Sequence, residues 1–167
     1  MERFDAVVVG AGPAGSATAI HLARAGASVL LADRARFPRD KPCGGGLTGR
    51  AVRELPVDVT PVVEDVVRTF EVRLGYRKRF ERRSEAPLVL MTQRRRLDAF
   101  LVEQAAEAGA VFRDGVTVEG VTVGPDGATL QVGGRSVHGR FLVGADGAAG
   151  TADPRRRCAR ASGRVPP

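Results

Sequence analysis

A glycine-rich hexapeptide that directly follows an apolar run constrains this chain more than any other feature. The run Asp5–Val9 leads into Gly10-Ala11-Gly12-Pro13-Ala14-Gly15, and a helix-like segment over 13–25 comes next. Continuous apolar residues bounded by glycine are typical of a strand buried on both faces of a parallel sheet. A second such run covers 28–32, so the first 33 residues predict a strand–helix–strand unit with short connections.

The position of the hexapeptide between strand and helix predicts a dinucleotide-binding loop. Gly10 permits the tight turn, Gly12 lets a pyrophosphate approach the backbone, and Gly15 lets the helix pack close to the strand. The helix start, which includes Pro13 and Ala14, directs amides and the positive end of the helix dipole toward phosphates. A glycine-rich turn without a ligand is the less favoured interpretation, because the strand-before-helix context is the one that dinucleotide sites require.

Asp33 ends the second strand, where an acidic residue accepts hydrogen bonds from the ribose hydroxyls of an adenosine. Its charge repels a 2′-phosphate and so favours FAD or NAD over NADP. Arg34 and Arg36 keep this choice open, because a neighbouring arginine accommodates a 2′-phosphate. A solvated turn aspartate is the plain alternative.

The segment after Asp33 points to a particular flavoprotein family. A long loop over 34–46 contains Pro42-Cys43-Gly44-Gly45, and here the sequence resembles the geranylgeranyl reductase family of FAD-dependent oxidoreductases. This family lies in the wider group of p-hydroxybenzoate hydroxylase-like monooxygenases and flavin-dependent halogenases. The resemblance covers about residues 3–150. It implies an α/β fold with a Rossmann-like FAD-binding βαβ sheet of the glutathione reductase and p-hydroxybenzoate hydroxylase type, and the beginning of a β-rich substrate region inserted at about 57–92.

The resemblance also assigns cofactor-binding positions beyond the glycine loop and Asp33. Cys43, Gly44 and Gly45 take the places of residues beside the isoalloxazine ring; a small buried hydrophobe with an inert thiol is an equal interpretation of Cys43. Three later segments supply the other positions. Arg94, at the head of the run Arg94–Asp98, takes the place of an arginine that contacts FAD. Val118 takes the place of a residue whose backbone faces the adenine, and Asp146-Gly147 resembles a pair near the pyrophosphate. Asp33 departs mildly from the family, which often has glutamate there.

The resemblance implies a function as well as a fold. The expected reaction is FAD-dependent reduction of carbon–carbon double bonds in a prenyl-lipid substrate, with NAD(P)H as an electron donor. A flavin monooxygenase or halogenase is the first alternative, and a non-catalytic nucleotide-binding fragment is the second. No residue is assigned a catalytic role.

Composition limits the other classes of function. Of the net charge of +7, residues 151–167 carry +4, so the remaining body is nearly neutral and no nucleic-acid partner is expected. The two histidines and two cysteines lack metal-ligand spacing. No apolar run is long enough to span a bilayer, and the cytoplasm is the expected location. The basic runs Arg77–Arg79 and Arg82-Arg83 are interpreted as a solvated face, with contact to a diphosphate or an anionic membrane surface as the alternative.

Periodicity predicts the remaining elements, and the last residues differ from them. Residues 151–167 consist mainly of Arg, Ala, Pro and Gly, and show no strand or helix period. They are expected to be a disordered or frameshift-derived tail on a truncated chain, with a basic functional tail as the alternative. Within residues 1–150 the predicted elements are a short helix at 47–54, a helix at 95–108, strands at 69–74, 87–91, 111–112, 116–123, 128–132 and 141–143, and a hairpin turn at 125–127.

Overall fold

A computed structural model describes residues 1–147 of the chain. The chain divides into two compact units, and the division falls within the first turn of one helix. Unit 1 is formed by Met1–Arg39 and the residues from Asp98 onward, and unit 2 by Asp40–Leu97. The tail predicted for 151–167 lies outside the described residues, and the predicted domain boundaries stay a prediction.

Strands and helices alternate at the start of the chain, and strands dominate its later part. The elements are β1 Glu2–Val9, α1 Pro13–Arg24, β2 Val29–Ala32, β3 Gly46–Thr48, α2 Gly49–Glu54, β4 Asp65–Val67, β5 Thr69–Leu74, β6 Lys78–Arg83, β7 Val89–Met91, α3 Arg94–Glu107, β8 Val111–Arg113, β9 Val118–Gly124, β10 Gly127–Val132 and β11 Arg135–Gly144. A short 3₁₀ turn covers Thr60–Val62.

Unit 1 is built on a six-stranded sheet of order β8-β2-β1-β11-β10-β9. The first four strands are parallel, and β9 and β10 continue the sheet as antiparallel strands. β1 lies between β2 and β11, and Val7 pairs with Leu30 on one side and Leu142 on the other. The predicted α/β class with a parallel sheet is confirmed.

Burial explains why β1 and β2 are apolar without alternation. Val7, Val8, Leu30 and Leu31 are all fully buried, since both faces of the central strands are covered. α1 contacts β1 and β2, and its Ile20 is fully buried. Val7 and Leu30 belong to one core cluster with residues of β9, β10 and β11, which are Val118, Ala128, Leu130, Val132 and Val137.

β11 is longer than the sequence predicts, because the prediction covered only 141–143. The strand has two different partners: its first half pairs with β10 antiparallel, and it pairs with β1 in parallel from Val137 to Gly144. Its polar first half carries no continuous apolar signal, and only the two neighbouring strands explain its conformation. The hairpin turn between β9 and β10 is shorter than the predicted turn over 125–127, because Gly127 already pairs with Gly124.

Unit 2 contains two small sheets. β3, β7 and β4 form one antiparallel sheet, and β5 and β6 form a separate two-stranded ribbon. α2 begins after Thr48, whose hydroxyl accepts a hydrogen bond from the Ala51 amide. The strands expected at 69–74 and 87–91 are present as β5 and β7. β3 and β4, which have three residues each, were not predicted, and neither was β6, whose basic residues were interpreted as a solvated face or as a contact for a diphosphate or an anionic membrane surface.

Candidate functional site

The glycine loop connects β1 to α1 in a conformation that only glycine fits at its first position. Gly10 has φ +101° and donates its amide to the carbonyl of Ala32 at 2.7 Å. A Cβ atom on Gly10 would lie 2.5 Å from the Ala145 carbonyl oxygen and 2.7 Å from Asp146 Cα. The loop therefore packs directly against the segment that follows β11.

The start of α1 packs on the same loop. A Cβ atom on Gly15 would lie 1.8 Å from the carbonyl oxygen of Gly10. The helix is capped by Gly12 without a side-chain hydrogen bond, and Pro13 at its first position has no amide hydrogen. Because no side chain caps them, the amides of the first turn and the positive end of the helix dipole are suited to bind a phosphate anion.

The Asp33 carboxylate fastens the end of β2 to the glycine loop. One oxygen accepts the Ala11 amide at 2.7 Å, and the other accepts the Ala35 amide at 2.8 Å. An ionised carboxylate has about four acceptor sites, so these two bonds leave capacity for hydroxyl donors. The predicted ribose partner is thus also a structural residue of the loop, a role that was not predicted from the sequence.

The segment Ala145–Gly147 completes the arrangement in unit 1. The Ala145 amide donates to the carbonyl of Val9 at 2.7 Å, which holds this segment beside the end of β1. Asp146 is half-buried, and Gly147 is exposed with φ +82°. The structure therefore brings the glycine loop, Asp33 and Asp146 together at the carboxyl ends of parallel strands, the edge where α/β sheets bind ligands.

Val118 and Arg34, the other predicted site residues of unit 1, are respectively a core residue and an exposed residue. Val118 is 5% exposed and belongs to the core, and its backbone pairs with Val132. The Val116 amide donates to the Asp33 carbonyl at 3.0 Å, and the contact of the Val118 backbone with an adenine stays a prediction. Arg34 is exposed immediately after Asp33. The sequence alone did not show this contact of Val116, because it depends on the pairing of the chain after β2 with the chain after β8.

A buried ion pair holds the chain that leaves β2. The Arg39 guanidinium lies 2.9 Å from the carboxylate of Asp98, which is fully buried on α3. Arg39 also lies over the Phe37 ring at 5.2 Å, and this ring contacts Phe112 edge-on at 5.3 Å. The run Arg94–Asp98 was the only sequence signal of this pair, and the partner of its aspartate could not be identified without the fold.

In unit 2, Cys43, Gly44 and Arg94 line one open cleft of about 530 Å³. Cys43 is exposed, so the interpretation of this residue as a buried hydrophobe is wrong; its sulfur accepts a weak hydrogen bond from the Gly45 amide at 3.5 Å. The other lining residues are Asp40, Lys41, Pro42, Glu64, Met91, Thr92, Gln93 and Arg95.

Gly45 has a structural reason to be glycine. It is buried with φ +73°, and a Cβ atom there would lie 2.0 Å from the Thr92 carbonyl oxygen. The Thr92 amide donates to the Gly45 carbonyl at 2.9 Å, and the buried Thr92 hydroxyl donates to the carbonyl of Val62 at 2.7 Å. This contact positions the backbone of Cys43 and Gly44 at the cleft.

The carboxyl groups whose pKa is lowered lie away from these residues. Hydrogen bonds from the amide and hydroxyl of Ser28, and a weaker one from Arg140, lower the pKa of Asp5. A hydrogen bond from Arg113 lowers the pKa of Glu2. Within residues 1–147 no cluster of His, Cys, Asp and Glu side chains is arranged to hold a metal ion. The same part of the chain contains no helix with the length and apolarity needed to cross a membrane.

Comparison with known proteins agrees with the geometry of the glycine loop. The family model described as FAD binding domain matches residues 3–163. A menaquinone reductase from Mycolicibacterium smegmatis is 40% identical over 158 residues, which cover 89% of this chain and 39% of the relative. The chain thus spans about two fifths of the length of that relative.

Solved structures share the fold. A geranylgeranyl bacteriochlorophyll reductase-like protein from Thermoplasma acidophilum has a TM-score of 0.79 and 25% identity, over 88% of this chain and 40% of its own. The myxobacterial chondrochloren halogenase, an FAD-dependent halogenase, has a TM-score of 0.73 and 25% identity, over 89% of this chain and 38% of its own. Reductases and halogenases are therefore both among the proteins that this chain resembles.

Proposed function

This chain belongs to the FAD binding domain family, and on that premise we propose that it binds FAD and serves a reductase reaction on the carbon–carbon double bonds of a prenyl lipid. The observation that carries the proposal is the cradle around the glycine loop. A Cβ atom on Gly10 would clash with the Ala145 carbonyl oxygen, and one on Gly15 with the Gly10 carbonyl oxygen, so the loop backbone is held compact and bare of side chains; the first turn of α1 also has no side-chain cap. These features fit a pyrophosphate, because the loop offers close backbone approach and amide donors.

The chain's own residues would bind and orient the cofactor. The amides at the start of α1 would hold the phosphates, and the remaining acceptor capacity of Asp33 would hold the ribose hydroxyls. These residues would hold FAD, which when bound would supply the capacity for hydride transfer. In unit 2 the cleft with Cys43, Gly44 and Arg94 is proposed to contact the flavin.

Different ligands test the proposed roles of the glycine loop and of the cleft separately. ADP carries the adenosine and pyrophosphate that the glycine loop recognises, whereas FAD also carries the flavin. We expect FAD to bind more tightly than ADP if the cleft of unit 2 contributes. Titration calorimetry of the chain with FAD, ADP and FMN measures this difference. Equal affinities for FAD and ADP would remove the cleft from the proposal, and no binding of either would remove the glycine loop.

The names of similar proteins support a prenyl-lipid substrate. A menaquinone reductase and a geranylgeranyl bacteriochlorophyll reductase-like protein both match this chain, and menaquinone and geranylgeranyl compounds share an isoprenoid chain with isolated double bonds. We propose NAD(P)H as an electron donor, and we propose that the protein acts in the cytoplasm at a membrane surface.

The reductase proposal has a direct test. The FAD-loaded protein is reduced with dithionite under anaerobic conditions and incubated with menaquinone, and mass spectrometry of the lipid detects the addition of hydrogen across a prenyl double bond. A saturated product supports the proposal. Reduced flavin that leaves the prenyl chain unchanged contradicts the reductase function for this chain, and the nucleotide-binding role then stands alone.

A flavin monooxygenase or halogenase is the second candidate, favoured by the similarity to the chondrochloren halogenase. Such an enzyme uses reduced flavin with oxygen. Aerobic oxidation of NADPH without any lipid, accompanied by hydrogen peroxide, would favour this candidate. Prenyl reduction that proceeds only without oxygen would exclude it.

A further inference from the structure

The ribbon formed by β5 and β6, residues 69–83, is exposed along both strands. Side chains alternate between the two faces of a strand, and the cross-strand register decides which residues share a face. The pairs Glu71–Glu81 and Arg73–Arg79 lie on one face, and Val72–Phe80 lies on the other. The ribbon carries six cations and two carboxylates, a net charge of +4.

The charged face of the ribbon neutralises much of its own charge. Glu71 pairs with both Arg73 and Arg79, and Arg79 also pairs with Glu81 at 3.0 Å. Both acidic residues of the ribbon are therefore engaged on this face. Arg83 lies on the same face, opposite Thr69.

The opposite face combines exposed apolar side chains with cations. Phe70, Val72, Leu74 and Phe80 are 43%, 51%, 73% and 60% exposed. Cations flank this apolar row at both ends: Lys78 is paired with Leu74, and Arg82 is paired with Phe70. Within the described residues neither cation forms an ion pair, and no acidic residue of the ribbon lies on this face.

The tip of the ribbon extends the same pattern. The Arg77 amide donates to the Leu74 carbonyl at 3.3 Å, and Gly75 and Tyr76 both have positive φ, as in a tight hairpin turn. Tyr76 is 96% exposed at this tip. A tyrosine ring suits the boundary between an apolar phase and water, because one end is apolar and the other is polar.

We propose that the apolar face and tip of this ribbon dock on an anionic lipid membrane. Apolar side chains would enter the boundary between headgroups and acyl chains, Tyr76 would lie at headgroup level, and Lys78 and Arg82 would bind anionic headgroups. The proposal names the contact surface for the membrane location proposed above, and it does not depend on the lipid reaction.

Charge complementarity distinguishes a membrane from other occupants of this face. A nucleic acid duplex would contact the cations through its phosphates and leave the apolar row in water. A strand added to either edge would meet the charged side chains that natural sheets use to prevent edge pairing. An anionic bilayer can contact the apolar row with its acyl chains and the cations with its headgroups at the same time.

Flotation of the full chain with lipid vesicles tests this proposal. One set of vesicles contains phosphatidylcholine alone, and the other contains phosphatidylcholine mixed with phosphatidylglycerol. We expect binding to the anionic vesicles and weak binding to the neutral ones. Arg82→Gln and Lys78→Gln should each weaken anionic binding about fivefold, and Leu74→Asp about tenfold or more.

The matched control is Arg83→Gln, which removes the same charge one residue away on the opposite face. We expect a smaller loss from this variant than from Arg82→Gln. Equal losses, or no binding to anionic vesicles, would overturn the proposal. Dimerisation in solution that Leu74→Asp abolishes, without vesicle binding, would assign the face to a second copy. Tighter binding to duplex DNA than to vesicles, with equal losses from Arg82→Gln and Arg83→Gln, would also overturn it.

Failure of this proposal and failure of FAD binding are distinguishable. All these substitutions lie on exposed positions of the ribbon, so the urea midpoint and the affinity for FAD should stay unchanged. Vesicle binding without FAD binding would leave the membrane surface standing, and FAD binding without vesicle binding would leave the cofactor site standing.

Discussion

The ion pair between Arg39 and Asp98 leads to the sharpest stability prediction. The Asp98 side chain is fully buried and the Arg39 side chain is 15% exposed, so water solvates little of either charge. Removing one partner of a buried pair typically costs about 3–5 kcal/mol, because the other charge stays buried without compensation. The Arg39 Nε atom is already buried without a hydrogen-bond partner, so the guanidinium has little other support in the described structure.

We therefore expect Asp98→Asn to lower the free energy of unfolding by about 3 kcal/mol, the lower end of that range. The exposed part of Arg39 reaches water and moderates the loss. Arg39→Met should cost more, because the buried carboxylate then loses its cation and the Phe37 ring loses its cation–π contact. The double variant Arg39→Met/Asp98→Leu should lose much less than the sum of the single losses, because no buried charge is left unpaired.

Urea unfolding at neutral pH, followed by far-ultraviolet circular dichroism, measures these values. The matched control is the exposed pair of Arg95 and Asp40, whose side chains are 57% and 82% exposed at 3.4 Å. Asp40→Asn should cost less than about 1 kcal/mol. A loss from Asp98→Asn no larger than that from Asp40→Asn would refute a stabilising role for the buried pair, as would a double variant that loses the full sum of the single losses.

Three further predictions concern the glycine loop, the other end of β1 and the cleft. Gly15→Ala should destabilise the fold by about 1–3 kcal/mol by overpacking and reduce FAD affinity in calorimetry, although alanine ordinarily favours a helix. The control is Gly26→Ala: a Cβ there has open space, but the residue has φ +85°. This variant should cost about 1–2 kcal/mol in stability and leave the affinity for FAD unchanged. A larger loss of FAD affinity from Gly26→Ala than from Gly15→Ala would contradict the role of the glycine loop. The pKa of Asp5 is lowered in the folded state, so its stabilising effect is present above the ordinary aspartate pKa and lost as pH falls through the lower folded pKa. Asp5→Asn should therefore lower the urea midpoint at pH 7 and have a shrinking effect below about pH 4; a constant effect would contradict this linkage. In a Cys158→Ser background, bound FAD should slow alkylation of the exposed Cys43 by iodoacetamide, whereas ADP should not; equal protection by both would remove the flavin from the cleft.

Local patterns in the sequence predicted the first part of the fold well. β1, α1 and β2 were recognisable because two faces of buried sheet require continuous apolar residues, and because Gly26 ends the helix with φ +85°. The periodic apolar face of α3 was equally clear. β3 and β4 were missed, since three residues are too few to show alternation, and their conformation depends on pairing with β7.

The candidate site divides in the same way. The hexapeptide and Asp33 were found from the sequence, because a tight turn and close phosphate approach demand particular residue types at particular spacings. The hydrogen bonds made by individual atoms of these residues could not be found from the sequence. The bonds of Asp33 to Ala11 and Ala35, and the contact that excludes a side chain at Gly45, appear only when segments distant in sequence meet.

The sequence by itself determined the strand–helix–strand unit, the glycine loop and the α/β class, because each depends on interactions among neighbouring residues or on a repeating burial pattern. Only the tertiary structure decided the two partners of β11, the burial of Asp98 against Arg39 and the separation of the ribbon into an apolar and a charged face. These features depend on strand register and on long-range contacts. Register determines which side chains share a surface, and no local propensity contains that information.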